Sequence, residues 1–120
     1  MTNPIEPLLA EVNERVFGPD SRLCLEYVEF DDLAEQDINA NVMPPDMFNA
    51  LTGNIKRAGV LESIPLVANT KGDETRRIVS GHHRIRCARD AGVKSGIVLR
   101  YRDLTQAEMH AYQLAHISIA

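Results

Sequence analysis

The sequence has no tryptophan and only two cysteines, Cys24 and Cys87, far apart in the chain. Two distant thiols supply neither a disulfide framework nor a Cys-x-x-Cys metal or redox motif, and a reduced cytoplasm is the default setting. No run approaches the roughly 18 continuous apolar residues that span a bilayer. The opening stretch, MTNPIEPLLAEVNERVFG, lacks a basic start and a long apolar centre, so a soluble, unexported protein with no membrane partner is expected. Internal repeats and low-complexity tracts are missing as well, which fits a compact domain. A net charge of −4 argues against broad, non-specific duplex binding, because that needs a basic face.

Against this acidic background one segment stands out. Between Arg76 and Lys94 lie six Lys/Arg and one acid, while the rest of the chain holds seven against sixteen. Within it, Ser80 to Gly92 reads SGHHRIRCARDAG, where the run Arg77-Ile78-Val79 meets Gly81 and then a short basic helix. A helix start leaves backbone N–H groups unpaired and partly positive, and a glycine there lets a ligand approach the main chain. An anion is the natural guest. His82, His83, Arg84, Arg86 and Arg89 add side-chain donors around that end, with Arg84 suited to a forked contact with phosphate. The plainer reading is a solvated helix face whose arginines pair with acids such as Asp90.

At 120 residues and 44% apolar content, one domain with a respectable core is expected. Asn3 and Pro4 make a helix cap and first position, and Ile5, Leu8, Leu9, Val12 and Val16 fall on one stripe before Gly18. Residues 1–20 therefore form an amphipathic helix, which covers one side of the domain or docks on a partner. The alternation of LCLEYVEF over residues 23–30 predicts the first strand. Residues 31–43 read as an acidic loop with a helical turn near Asp32 to Ala34. Pro44 and Pro45 open a second helix with Phe48, Leu51, Ile55 and Ala58 buried and Gly59 as its left-handed cap. Strands follow at 64–68 and 76–80, joined by an Asn69 to Glu74 hairpin loop, then a helix over 81–91 and a strand over 97–101. Thr105-x-x-Glu108 is a capping box opening a last helix, which runs to Ala120 without a stop signal, so more chain is expected after it. The fold class is α+β, a small mixed sheet flanked by helices.

GHHRIRCARDAG resembles the Gly-x-x-Arg-x-x-Ala box of the ParB/sulfiredoxin-like superfamily, in the variant common in phage and plasmid ParB-like proteins. PDMFNALTGNIKRAG resembles the helix before the first phosphate motif of that family. GVLESIPLV, from Gly59 to Val67, resembles its Gly-φ-Leu…Pro-φ-Val segment, and YQLAHISIA, from Tyr112, its third-motif helix. The resemblance covers about residues 25–120 and implies a single ParB-like domain over 21–120. It implies a nucleoside triphosphate, CTP in partition proteins, with Mg²⁺. Gly59 and Val60 would form the first phosphate loop, and Gly81, His82, His83 and Arg84 the second. It also implies DNA reached through a partner chain or a following segment, since the helix-turn-helix domain of partition proteins does not follow here, and a second copy of the chain as a partner.

Departures from the family pattern shape the chemistry. The reactive cysteine of sulfiredoxins is replaced by His82, which argues against sulfinic-acid repair, and Cys87 lies too far along the helix to substitute for it. Ile117 falls where Asn is common in the third motif and cannot coordinate Mg²⁺, so no metal ligand is assigned. His82 and His83 remain candidate catalytic groups, as acids or neutral donors. Three readings stay open: a nucleotide-binding module associated with DNA transactions, a ParB-like nuclease or phosphotransferase using His82 or His83, and a degenerate interaction domain. The nuclease reading would draw on Glu62, Asp37 or Asp46, although no clustered metal signature is present. His110 and His116 read as helix-face residues.

Overall fold

The structure, a computed structural model, describes residues 3–35 and 43–115. In chain order these form helix α1 (Ile5–Val16), strand β1 (Leu23–Glu29), a single 3-10 turn (Phe30–Asp32), helix α2 (Pro45–Ala58), strands β2 (Leu66–Thr70) and β3 (Arg77–Ser80), helix α3 (His82–Asp90), strand β4 (Ser95–Leu104) and helix α4 (Gln106–Ala115). The strands make one sheet in the order β1-β4-β2-β3, parallel between β2 and β4 and antiparallel at the other two pairings. This is the mixed α+β architecture expected from the alternation of patterns.

Successive side chains of a strand point to opposite faces, and the core divides accordingly. Val67 and Ile78 join Phe30, Ile55, Ile85 and Val98 on the face covered by α2 and α3. Their neighbours Ala68 and Val79 join Leu104 and Met109 on the face covered by α4.

Local chemistry explains the helix boundaries. Pro4 already has helical dihedrals, and Ile5 donates its N–H to Asn3 Oδ1 at 2.9 Å, so Asn3 is the cap that its residue type suggests. Gly59 ends α2 in the left-handed region at φ +78°, donating its N–H to Ile55 O at 2.8 Å. Both halves of the capping box form: Glu108 N–H to Thr105 Oγ1 at 3.1 Å and Thr105 N–H to Glu108 Oε1 at 3.0 Å.

Both outer strands have backbone groups covered. The Asn13 amide of α1 clasps Leu25 of β1, donating to its carbonyl at 2.9 Å and accepting its N–H at 2.7 Å. On the far side Ala34 lies along β3, donating to Arg76 O and accepting from Ile78 N–H, each at 2.8 Å.

Several expectations need correction. The apolar stripe of α1 does not cover the domain: Leu9 is buried, whereas Leu8 is 63% and Val16 68% exposed, because the helix packs chiefly against β1. Ala58, expected inside, is exposed. The helical turn after β1 spans 30–32 instead of 32–34, and Phe30, read as the end of the strand, is fully buried. A methyl on Gly96 would stand 2.8 Å from Phe30 Cζ, so the ring uses the space that this glycine leaves. Strand β2 lies two residues later than expected, which turns Asn69 from a loop residue into a fully buried one. Strand β4 is twice as long as the predicted segment.

Candidate functional site

The chain leaves β3 at Ser80, turns at Gly81 and enters α3 at His82. Gly81 has φ +100° and ψ 22°, a left-handed conformation that L side chains rarely adopt. It also faces Pro65: a Cβ built on Gly81 would lie 3.2 Å from Pro65 Cβ and 3.4 Å from its Cα. The first intrahelical bond is Ile85 N–H to Gly81 O at 3.0 Å, so the amides of His82, His83 and Arg84 precede the helical ladder.

Beside this turn lies an open cavity of about 260 Å³ lined by Met43, Leu51, Ser63, Ile64, Pro65, Ser80, Gly81, His83 and Arg84. Ser63, Ser80, His83 and Arg84 give this lining its polar and cationic groups, and Met43, Leu51 and Ile64 its apolar ones. No carboxylate is among these lining residues.

Three other arginines of the segment are matched by acids. Arg86 grips Glu35 in a fork at 2.8 and 3.0 Å. Arg89 donates to the Phe30 carbonyl, and its Nε stands 3.2 Å from Asp31 in an ion pair that is not a hydrogen bond. Arg76 grips Glu26 at 2.7 and 3.1 Å. Arg86 and Arg89, read from sequence as donors around the helix start, thus point at acids after β1, and those acids are Glu35 and Asp31 where Asp90 was expected. Arg84 is different: among the described residues it has no hydrogen bond and no ion pair, and it lines the cavity.

Both histidines are buried, His82 at 8% and His83 at 6% exposure, and burial pushes both imidazoles below their ordinary pKa. Nearby Arg86 pushes in the same direction, and for His82 Glu35 pulls partly the other way. His83 lines the cavity and, among the described residues, has no hydrogen-bond partner. His82 does not line it; its electrostatic neighbours are Glu35, Arg86 and His83.

The structure therefore brings Gly81, His83 and Arg84 together and leaves Gly59 and Val60 outside the lining, with Val60 61% exposed. The contribution of that loop comes from further on, at Ser63, Ile64 and Pro65. Glu62 and Asp46 are exposed and do not line the cavity. Asp37, His116 and Ile117 lie outside the described residues. Cys87 is buried and donates weakly to Phe48 O at 3.7 Å, an inert packing role. Among the described residues no three His, Cys, Asp or Glu gather as a metal site, and no helix is long and apolar enough to cross a membrane.

One polar cluster was not foreseen. Arg100 of β4, 6% exposed, donates to Asn69 at 2.9 Å, to Glu26 at 2.9 Å and to Glu74 at 3.2 Å, while Arg76 shares Glu26. The signal was an arginine two residues after Val98 on the same strand face, opposite a strand carrying Glu26.

No family model and no curated protein sequence matches the chain. Solved structures do. The C-terminally truncated chromosome-partitioning protein ParB of Caulobacter crescentus, complexed with CTP-γ-S, aligns with a TM-score of 0.61 and 21% identity over 75% of this chain and 50% of its own. A Pnob8-like ParB-N domain aligns at 0.57 with 18% identity, over 75% of this chain and 34% of its own. The fold is ParB-like. A mutant free serine kinase in complex with AMP shares it more distantly, at 0.50 and 20% identity over 63% of this chain and 30% of that one. The chain thus spans half the length of the first ParB neighbour and about a third of the other two. In the ParB-like frame the Gly81 turn joins a core strand to a helix, and the cavity opens at that junction.

Proposed function

We propose that this chain is a nucleotide-binding module in which the Gly81 turn receives a phosphate group. The observation that carries the reading is the lone guanidinium: Arg84 has no acidic partner among the described residues and stands in a cavity whose described lining contains no carboxylate. Three features suit the cavity to an anion: leftover amides at a helix start, a glycine that admits close approach, and a cation. The apolar lining residues Met43, Leu51 and Ile64 suit a ring carried on the same ligand. CTP-γ-S in one ParB neighbour and AMP in the kinase support the choice of a nucleotide. A triphosphate such as CTP is the first ligand to try. The described lining offers Mg²⁺ no carboxylate, so Arg84 carries the charge compensation. DNA, in this reading, is reached through a partner chain or a second copy, since this chain is acidic overall.

Calorimetric titration with the four NTPs, with and without Mg²⁺, tests this. Saturable binding by the wild type that weakens in Arg84→Ala is expected; no binding by any NTP would overturn the reading. The presence of His83 in the lining favours one second reading, phosphoryl transfer or phosphodiester cleavage with the imidazole as acid. Turnover or DNA nicking lost in His83→Ala and retained in His82→Ala would select it.

A further inference from the structure

We propose that His83 couples the site to protons: the anion in the cavity binds together with one proton taken from solvent onto the His83 imidazole. This rests on the reading of the cavity as a phosphate site.

His83 is 94% buried yet lines the cavity, and no described residue accepts or donates a hydrogen bond to it. Its ring nitrogens are not sealed from solvent, so water or a ligand in the cavity supplies their partner. Gly81 and Arg84 line the same cavity. The groups that surround it explain its charge state. On α3 these are His82, Arg84 and Arg86. From the loop before β2 they are Ser63, Ile64 and Pro65, from α2 Leu51, from β3 Ser80, and beyond α2 Met43. None of these is a carboxylate, and Glu35, the acid that acts on neighbouring His82, is held by Arg86. An empty cavity therefore favours the neutral ring, in agreement with its lowered pKa.

A phosphate supplies the counter-charge that the protein withholds. Once it sits against His83, the imidazolium form gains an ionic hydrogen bond and the ring nitrogen picks up a proton from solvent. An arginine at this position would bind the same anion at every pH. A histidine ties occupancy to acidity, with affinity rising as pH falls from the bound-state pKa to the free-state pKa and level outside that window.

The probes are CTP and, because its charge does not change near neutrality, inorganic sulfate. Calorimetry at pH 7 in two buffers of different ionisation heat reads protons taken up per CTP bound. Nuclear magnetic resonance of the His83 ring reads its titration with and without ligand. Wild type should take up a sizeable fraction of one proton, its ring pKa should rise by a unit or more on binding, and sulfate affinity should fall about tenfold between pH 6 and pH 8. His83→Gln should bind without proton uptake, and His83→Arg should bind sulfate equally at both pH values. Binding by wild type with no proton uptake and an unmoved ring overturns this proposal and leaves the phosphate site intact. Absence of binding by either probe overturns both.

Discussion

Gly81 and Pro65 are in direct contact: a methyl group on Gly81 would stand 3.2 Å from Pro65 Cβ. The contact holds the loop before β2 against the start of α3, so that Ser63, Ile64 and Pro65 share one cavity with His83 and Arg84.

Gly81→Ala therefore meets two penalties, a left-handed backbone and a tight approach, and should cost about 1–3 kcal/mol. Pro65→Gly removes the nearer approach, that of Cβ, and leaves the Cα at 3.4 Å and the backbone strain. In a double-mutant cycle followed by urea unfolding, the pair should couple measurably while Gly81→Ala stays destabilising in the Pro65→Gly background. Additive effects would show that the contact carries no energy.

Arg84→Ala should separate binding from stability. The side chain has no partner among the described residues, so melting should change within about ±0.5 kcal/mol. Nucleotide affinity should drop roughly 10- to 100-fold, the worth of a charged hydrogen bond. Arg86→Ala is the comparison: its charge is directed at Glu35, so affinity should fall less than in Arg84→Ala.

Glu26 answers two arginines, Arg76 and the buried Arg100. Glu26→Ala strands Arg100 inside with Asn69 and Glu74 alone, and should cost about 2–3 kcal/mol, below the roughly 3–5 of a fully buried pair because Glu26 is partly exposed. A loss under about 0.5 kcal/mol in chemical denaturation would show that water already solvates the cluster.

Acid should weaken the fold before any carboxylate is protonated. His82 and His83 are held below the ordinary imidazole pKa, so as pH falls the unfolded chain takes up protons first. The stability they contribute is complete above about pH 6.5 and disappears as pH drops through their lowered folded values. Glu26 and Glu35, shifted downward by their arginines, act at lower pH. Melting temperature should fall from pH 7 to pH 5, and less steeply in the His82→Gln/His83→Gln double variant. Equal slopes would remove the histidines from the account.

The features legible in the sequence were those set by short-range chemistry. The Asn3 cap, the Gly59 terminus, the Thr105 and Glu108 box and the hairpin between β2 and β3 depend on residues within a few positions of one another. The turn at Gly81 was legible for the same reason. Long-range pairing was not. Nothing local to Arg86 or Arg89 says that Glu35 and Asp31 will fold beside them, so the charge run overstated the number of free donors. The Arg100 cluster joins β1, β2 and β4 with the loop before β3, and its partners appear only once strand order is known. Pro65 belongs with them, since its role comes from meeting a glycine sixteen positions later.

The clasp of Asn13 on Leu25 and the run of Ala34 along β3 bear on how copies of this chain meet. A strand from a neighbouring molecule needs vacant main-chain donors and acceptors to dock, and at these places they are taken. Growth by adding ribbons to the sheet is blocked where it would begin. Any assembly seeded there must first peel away α1 or the segment around Ala34, so it is the attachment of these flanks that guards against fibrous aggregation.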